Sequence, residues 1–310
     1  MKLGFIKPNF PGEKRVALLP CDVHNFPFEI VIEEGFGENV DVTDEQYRDV
    51  GCQIENRAWI FQNCEGIFSL KLIQPSDYKK LRKNQIVVGW THPLGSGKNF
   101  FEKVCKPLNI KVIDLDNIHP CVFFHEKTQS IDWIPRNFVS KNSFIAGYAA
   151  TYHALLSFGL MIHADTKVAI LSSGNVSQGA FTCIAQLGAQ PQLFYRKTMS
   201  EFYQDIEKFD IIISGIEMDD TSEHIIDKKH VQRIKKGALI IDAAADAGHT
   251  IVGTHLTVIS DPLYEKDGIY YYVVANTPSL LFRESSKEIS KAFSKYVYCH
   301  SLEEFDSIAL

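Results

Sequence analysis

The sequence lacks the hallmarks of several protein classes. Its seven cysteines include no C-x-x-C pair, no run of Lys or Arg exceeds two residues, and no long apolar stretch follows Met1. An odd number of scattered cysteines indicates thiols in a reducing compartment rather than a disulfide framework. A net charge of -6 without basic blocks argues against a nucleic-acid binder or a membrane-surface binder. Because the N-terminus turns polar by Lys7 and shows no secretory signal, we expect a cytoplasmic protein.

One long segment carries no formal charge, and it runs from Phe144 to Ile162. Its length approaches that of a membrane span, but it contains Gly, Thr, Ser, Tyr and His residues. This composition favours a buried helix between domains over a transmembrane helix.

The chain is long enough for two domains, since 310 residues correspond to two units of about 150 residues each. Short apolar runs of strand length alternate with helix-like stretches, which is typical of β-α-β units. We therefore predict an α/β fold with parallel sheets. The predicted strands are Leu3–Ile6, Glu29–Ile32, Ile67–Leu72, Ile86–Trp90, Val112–Leu115, Val168–Leu171, Gln192–Tyr195, Ile211–Ser214, Ala238–Ile241 and Tyr271–Ala275.

Helix signals place the boundary between the domains. Thr43, followed by two acidic residues, has the chemistry of a helix N-cap. A long apolar helix is predicted to begin at Ser143, after a polar loop that we take as the boundary. The first domain then spans residues 1–140 and the second spans 141–282, while residues 283–310 are predicted to form a helix that leaves the second domain and completes the first.

A turn for a nucleotide is predicted after Val168–Leu171. A small-residue segment and then a helix follow this strand, which is the order needed to hold a pyrophosphate at a helix N-terminus. Gly174 fits the position of close approach, whereas Ser172 and Ser177 replace the first and third glycines of the usual G-x-G-x-x-G motif. The candidate cofactor-binding residues of this turn are Ser172, Ser173, Gly174, Asn175 and Val176.

Two cations after the next strand indicate which dinucleotide binds. NAD enzymes place an acidic residue there for the ribose hydroxyl, but this chain has Arg196 and Lys197 after Tyr195. A guanidinium can bind a 2'-phosphate through two hydrogen bonds, so the sequence predicts NADP(H). The alternative is an exposed charge pair at a strand end.

Motifs along the whole chain resemble the alanine dehydrogenase and saccharopine dehydrogenase family. The resemblance implies two Rossmann-like domains with parallel sheets and an interdomain cleft that holds the chemistry. It also implies homo-oligomers. The motifs are Gly4-Phe5-Ile6-Lys7-Pro8-Asn9-Phe10-Pro11-Gly12-Glu13-Lys14-Arg15-Val16, Phe68-Ser69-Leu70-Lys71-Leu72-Ile73-Gln74-Pro75, Gly89-Trp90-Thr91-His92-Pro93, Asp242-Ala243-Ala244-Ala245-Asp246-Ala247-Gly248 and Val274-Ala275-Asn276-Thr277-Pro278-Ser279.

The resemblance assigns catalytic roles to three residues of the first domain. Arg15 matches the arginine that binds the carboxylate of pyruvate, and His92 matches the acid and base. Lys71 stands four residues before Pro75, where the family has its keto-acid lysine two residues before a proline. Since positions two apart on a strand share a face, Lys71 could still reach the site. Taken singly, each residue has an ordinary alternative as a surface or structural side chain.

On the side of the cofactor, the resemblance assigns Asn276 to the nicotinamide and Asp246 to the neighbourhood of cofactor and substrate. Ser214 and Gly215 end another strand that faces the cofactor in this topology. Turn and capping chemistry is the alternative for Asp246 and Asn276. We expect no metal site, because the spacing of His119, Cys121, His125 and Glu126 matches no common zinc pattern.

The expected reaction is the condensation of pyruvate with an amine, followed by reduction of the imine with NADPH. The resemblance implies that the amine is the side-chain amine of L-ornithine, or of L-lysine. Two alternatives stay open. One is reductive amination with ammonia, as in alanine dehydrogenases, and the other is a catalytically silent NADPH-binding regulator.

Overall fold

The computed structural model describes residues 1–116, 118–218 and 224–308. Contacts within the chain define two compact units. Unit 1 comprises Met1–Val139 together with the C-terminal segment from Phe282, and unit 2 comprises Ser140–Leu281. No helix within these described ranges is long and apolar enough to cross a membrane.

The strands are short and lie in two sheets. Those of unit 1 are β1 (Lys2–Ile6), β2 (Glu29–Glu33), β3 (Gln53–Glu55), β4 (Gly66–Ser69), β5 (Ile86–Gly89), β6 (Lys111–Asp114), β7 (Cys121–Phe124) and β8 (Lys127–Ser130). Those of unit 2 are β9 (Val168–Leu171), β10 (Gln192–Phe194), β11 (Ile211–Ser214), β12 (Leu239–Asp242), β13 (Leu263–Lys266) and β14 (Ile269–Tyr272).

Helices connect most of these strands. They are α1 (Asp44–Asp49), α2 (Arg57–Asn63), α3 (Lys98–Phe100) with a π-helical continuation (Phe101–Cys105), α4 (Ser140–Phe158), α5 (Asn175–Gln186), α6 (Met199–Asp205), α7 (Lys228–Arg233), α8 (Phe282–Tyr296) and α9 (Leu302–Asp306). Short 3₁₀ turns occur at Pro20–Asp22, Glu38–Val40, Pro75–Lys80, Ile206–Lys208 and Thr277–Leu281.

The sheet of unit 1 has the order β3-β2-β1-β4-β5-β6-β7-β8. Strands β1 to β6 are parallel, whereas β7 and β8 are antiparallel. Helix α2 and the segment around Phe100 cover one face, and α8 and α9 cover the other, so the central strands are buried on both faces and read as apolar runs. Because β2 and β4 lie on opposite sides of β1, a ligand crevice is expected at the carboxyl ends of β1 and β4.

The sheet of unit 2 has the order β10-β9-β11-β12-β14-β13, and only β13 among these strands is antiparallel to its neighbour. Helices α4 and α5 cover one face, while α6 and α7 cover the other. Since β10 and β11 flank β9, the order reverses at β9, and the carboxyl ends of β9 and β11 form the expected crevice.

Glycine sets the approach of α4 to α5. A Cβ atom at Gly179 would overlap the carbonyl oxygen of Phe144, and a Cβ atom at Gly147 would overlap that of Val176. The two helices therefore pack backbone against backbone at this crossing. As a result, the start of α5 is fixed against unit 2's longest described helix.

Several elements differ from the sequence-based expectations. The segment from Arg283 forms two helices, α8 and α9, instead of one, because Ser301 caps a new helix after a turn. The long helix begins at Ser140, three residues before the predicted start. Both sheets are mostly parallel as predicted, but β7, β8 and β13 are antiparallel strands that the sequence analysis did not predict.

Candidate active site

The three predicted catalytic residues of unit 1 follow neighbouring strands at one edge of its sheet. Arg15 lies in the loop after β1, Lys71 comes two residues after β4, and His92 comes three residues after β5. Since these strands are adjacent and parallel, their carboxyl ends meet at the same edge. A fourth loop, after β6, contributes Asp116 to the same cluster.

Arg15 is buried and held by an ion pair. Its side chain is 1% exposed, and the Nε and Nη2 atoms donate to the two carboxylate oxygens of Glu13 at 2.8 and 2.6 Å. The guanidinium also lies 4.8 Å from the centre of the Trp90 ring, within range of a cation–π contact. Burial alone would raise the pKa of Glu13, but the charge and hydrogen bonds of Arg15 lower it. Glu13 therefore stays ionised and fixes the orientation of the guanidinium.

The loop after Arg15 is anchored by buried side chains. The backbone N–H groups of Val16 and Leu19 each donate 2.8 Å hydrogen bonds to serine hydroxyls of α8, Ser286 and Ser290 respectively. The hydroxyl of Tyr298 donates to the carbonyl of Ala17 at 3.1 Å. A buried loop needs such partners for its backbone, so the C-terminal segment positions Arg15.

Lys71 shares the Trp90 ring with Arg15. Its Nζ atom lies 5.0 Å from the ring centre, and its backbone carbonyl accepts a 2.6 Å hydrogen bond from Ser69. Burial lowers the pKa of Lys71, and the nearby charge of Arg15 lowers it further, although Asp116 and Glu13 act in the opposite direction. Two cationic groups therefore contact the same aromatic ring.

His92 forms a hydrogen-bonded pair with Asp116 through its Nε2 atom. This hydrogen bond raises the pKa of His92 above its usual value, against the opposing effect of burial. Its side chain remains 49% exposed, so solvent and small ligands can reach the ring. The Asp116 carboxylate is held ionised, because His92, Lys71 and Arg15 lower its pKa against the effect of burial.

A second carboxylate shapes the loop that carries His92. Asp114 is fully buried and accepts hydrogen bonds from the Thr91 backbone and hydroxyl and from the His92 backbone, at 2.9, 3.0 and 3.2 Å. The backbone of His92 has a φ of 47°, which is unusual for a residue with a side chain. The carboxylate thus supports a strained conformation that turns the imidazole towards Asp116.

In unit 2, the predicted nucleotide turn adopts a compact form. Ser172 has a φ of 84°, its backbone N–H donates to Phe194 at 2.6 Å, and its hydroxyl accepts from the N–H of Gly174 at 3.0 Å. Helix α5 begins at Asn175 after Gly174, without a side-chain cap, and Val176 lies in its first turn. Its first N–H groups therefore point into the space after Ser173, where a pyrophosphate would fit.

The replacement of the third motif glycine by Ser177 has a structural explanation. Ser177 is buried, and its hydroxyl donates to the carbonyl of Leu171 at 2.7 Å. A Cβ atom at Gly215 would overlap this hydroxyl, so Gly215 leaves the room that Ser177 requires. Ser214 is fully buried at the end of β11, beside the turn.

Arg196 and Lys197 are exposed in a tight turn after β10. The turn is closed by a 2.7 Å hydrogen bond from the Thr198 N–H to the Tyr195 carbonyl. Since β10 is the neighbour of β9, the two cations lie at the same sheet edge as the Ser172 turn. This arrangement fits a phosphate on the ribose.

The other two cofactor-side residues are held more tightly. Asp246 is 7% exposed and accepts hydrogen bonds from His249 Nδ1, the Thr250 hydroxyl and the Met218 N–H at 2.8, 2.8 and 3.0 Å. Asn276 lies four residues beyond β14, has a φ of 64°, and accepts from Ser279 through its backbone carbonyl. Through these hydrogen bonds, Asp246 holds its own loop together.

Three of the four residues considered for a metal make side-chain contacts with protein groups. Cys121 donates to the carbonyl of His119 at 3.3 Å, His125 Nε2 bonds to Asn109 at 2.8 Å, and Glu126 pairs with Lys106. These contacts assign the side chains of Cys121, His125 and Glu126 to local structure.

The sequence analysis did not single out four residues of the unit 1 cluster. Glu13 and Trp90 stand within motifs quoted above, Asp114 lies within the predicted strand Val112–Leu115, and Asp116 directly follows it. Two carboxylates at the end of a predicted strand were a usable signal. The missing information was the sheet order, which places these carboxylates at the histidine.

Comparisons with known proteins agree with this architecture. The family model of the alanine dehydrogenase/PNT N-terminal domain matches residues 5–121, and that of the C-terminal domain matches residues 163–309. The chain belongs to the alanine dehydrogenase/PNT family. Membership in this family of dehydrogenases makes it an oxidoreductase and supports a nicotinamide cofactor. The resemblance found from sequence motifs is thereby confirmed.

Two relatives are about half identical to this chain over nearly its whole length. N(5)-(carboxyethyl)ornithine synthase from Clostridium botulinum strain Hall is 55% identical over 98% of this chain and 96% of that protein. The protein of the same name from Lactococcus lactis subsp. lactis strain IL1403 is 48% identical over 99% of both chains.

Solved structures establish the fold. An L-alanine dehydrogenase superposes with a TM-score of 0.79 at 19% identity, covering 96% of this chain and 89% of that one. The transhydrogenase from Sinorhizobium meliloti gives a TM-score of 0.74 at 16% identity, covering 97% and 95%. The predicted two-domain, mostly parallel α/β fold is therefore confirmed.

Proposed function

We propose that this chain catalyses the NADPH-dependent condensation of pyruvate with the side-chain amine of L-ornithine, giving N5-(1-carboxyethyl)ornithine. The free amine, pyruvate, NADPH and one proton yield the secondary amine, NADP⁺ and water. The observation that carries the proposal is the cluster of Arg15, Lys71 and His92 at one edge of the unit 1 sheet, in a chain about half identical to two carboxyethylornithine synthases.

Unit 1 is the proposed substrate domain. Arg15 would bind the carboxylate of pyruvate, since a guanidinium oriented by Glu13 suits a planar anion. Lys71 would donate a hydrogen bond to the keto oxygen and polarise the carbonyl. The Trp90 ring lies within cation–π distance of both cations. Together they would hold the keto acid in one orientation.

His92 would move the protons. Condensation requires a proton to leave the attacking amine and another to reach the departing hydroxyl of the carbinolamine. An exposed imidazole with a raised pKa can carry both in turn, and Asp116 stabilises its charged form. Asp116 is thus a proposed positioning residue.

Unit 2 is the proposed cofactor domain. The residues that would hold the dinucleotide are the Ser172–Val176 turn, Ser214, Gly215, Asp246 and Asn276, while Arg196 and Lys197 would bind the 2'-phosphate of NADPH. The bound cofactor supplies the hydride that reduces the imine. The cytoplasmic location and the homo-oligomeric state stay predictions from the sequence.

An assay of NADPH oxidation with pyruvate and a panel of amines tests the proposal. We expect millimolar L-ornithine to support turnover far faster than ammonia at much higher concentration, because a site that pairs the amino-acid head group gains binding energy that ammonia cannot supply. L-Lysine tests the tolerance for one further methylene. Equal rates with ammonia and ornithine would reassign the chain to alanine dehydrogenase activity, and no turnover with any amine would favour a silent NADPH binder.

A further inference from the structure

Unit 1 contains a cavity of about 470 Å³ that borders Arg15. It opens beside the carboxyl ends of β1 and β2 and the 3₁₀ turn Pro75–Lys80. Its lining is strongly charged. The lining residues with formal charge are the cations Lys7, Arg15, Arg57 and Lys80 and the anions Glu33 and Asp77.

One guanidinium organises this cavity. Arg57 donates to Asp77 from Nη2 at 2.7 Å, to Glu33 from Nη1 at 2.7 Å, and to the carbonyl of Lys7 at 2.9 Å. Asp77 and Glu33 are largely buried. Two carboxylates from different elements are thereby held beside each other in fixed positions.

Two further groups complete the wall. Lys80 Nζ and Asn9 Nδ2 both donate to Asp77, at 2.7 and 2.9 Å. Lys80 Nζ carries further hydrogens beyond that bond, whereas Asn9 Nδ2 also donates to the Ser76 hydroxyl at 3.2 Å, which uses its second hydrogen. Lys80 is 41% exposed, so its ammonium also faces the solvent side of the cavity. Lys80 can therefore donate to an anion while it remains fixed by Asp77.

An acceptor lies on the same network. Within the described residues, Arg57 and the Lys7 N–H both donate to Oε2 of Glu33, at 2.7 and 2.6 Å. The Oε1 atom of Glu33 thus retains acceptor capacity for an ammonium group. The cavity presents cationic donors and an anionic acceptor next to the proposed anchor for pyruvate.

We propose that this cavity binds the α-amino-acid head group of the amine substrate. Lys80 pairs with its α-carboxylate, and Glu33 pairs with its α-ammonium. This inference rests on the proposed function, since it places the far end of an amino acid whose side-chain amine reacts near Arg15. A zwitterion loses solvation on entering a site, so both of its charges need such partners. Because the network of Arg57 and Asp77 already fixes these partners, little ordering is required on binding.

The test uses Lys80→Met with Lys79→Met as a matched control. Lys79 is exposed in the same 3₁₀ turn, and the described lining of the cavity does not include it. For each protein, kcat/KM is measured with L-ornithine and with 1,4-diaminobutane, which is ornithine without its carboxylate. We expect wild type and Lys79→Met to prefer ornithine, and Lys80→Met to lose at least tenfold of that preference. Lys80→Arg should restore most of it, and melting temperatures monitor folding.

A second pair of reagents tests the α-ammonium contact. 5-Aminopentanoate is ornithine without its α-amine. We expect wild type to prefer ornithine over this compound in kcat/KM, and Glu33→Gln to reduce that preference by about tenfold. If wild type uses ornithine and Lys80→Met keeps its full preference, the head-group site is wrong while the proposed function stands. If wild type turns over no amine, the proposed function fails. Calorimetric titration with L-ornithine then decides the head-group site, which is supported by weaker binding to Lys80→Met than to Lys79→Met and overturned by equal or absent binding.

Discussion

At the scale of single residues, His92 and Asp116 determine how the proposed reaction depends on pH. The hydrogen bond that His92 donates to Asp116 raises the pKa of His92, so the imidazole keeps its proton to higher pH than a free histidine. As a proton donor it is active below that pKa, and activity falls as the pH rises through it.

Changing the pair should separate its two roles. His92→Gln is expected to lower kcat by about 10²-fold, because no group then carries the proton. Asp116→Asn should leave more activity but shift the alkaline limb of the kcat/KM profile to lower pH, since the imidazole loses its stabilising charge. pH–rate profiles of the three proteins measure both effects. An Asp116→Asn profile with an unmoved alkaline limb would contradict the pairing.

Arg196 is the residue on which the choice of cofactor depends. Arg196→Asp should lower kcat/KM for NADPH by about tenfold or more, equivalent to about 1.4 kcal/mol, since a charge-assisted contact to the 2'-phosphate is replaced by repulsion. The value for NADH should not fall. Lys208→Asp is a control, because Lys208 precedes β11 and lies at the opposite edge of the sheet. Wild-type kinetics with NADPH in Arg196→Asp would exclude the assignment.

At the scale of elements, the crossing of α4 and α5 fixes the nucleotide turn. Gly179→Ala should destabilise the protein by about 2–3 kcal/mol, because the added methyl group overlaps the backbone of α4 at Phe144. Gly174→Ala is the matched change on the same turn, where an added Cβ atom would lie 3.4 Å from the Ser172 hydroxyl. It should retain the stability and weaken cofactor binding. Denaturant melts and NADPH titrations compare the two, and equal stability of both variants would refute the crossing argument.

The end of β12 carries a carboxyl group that resists ionisation. Burial raises the pKa of Asp242 to about 7 in the folded chain, compared with 3.8 for an ordinary aspartate. A raised carboxyl pKa contributes stability that is present below about pH 4 and lost as the pH rises to about 7. The amide in Asp242→Asn does not titrate. The melting temperature of this variant minus that of wild type should therefore increase between pH 4 and 7. A difference in melting temperature that stays constant with pH would contradict the shift.

The sequence predicted strands correctly where they are buried on both faces of the sheet. Val168–Leu171 and Ile211–Ser214 were predicted with the bounds that the structure has, because central parallel strands are continuously apolar. β8 and β3 were missed, since their side chains are largely polar or exposed and hold position through neighbouring strands. The strand predicted to reach Leu72 ends at Ser69, because the chain leaves the sheet to bring Lys71 to Trp90.

At the scale of the whole molecule, the sequence was enough to name residues of the candidate site but not the side chains that contact them. Arg15, Lys71 and His92 could be named from motifs, and the roles stay predictions. The contacts of Arg15 with Trp90 and of His92 with Asp116 depend on strand order, because these residues are distant along the chain. Glu13 lies only two residues before Arg15, but the sequence alone did not show that the two side chains pair. The cavity beside Arg15 likewise joins Asn9, Arg57 and Lys80, which no local pattern connects.

The most direct test of the central claim is to follow labelled atoms into the product. Purified protein is incubated with pyruvate, L-ornithine carrying ¹⁵N at the δ position, and NADPH deuterated at the transferred hydride, and the product is examined by NMR and mass spectrometry. We predict a secondary amine in which the δ nitrogen is bonded to the former keto carbon of pyruvate, which also carries the deuterium. Deuterium found instead in alanine or lactate, with ornithine unchanged, would contradict the proposed reductive condensation.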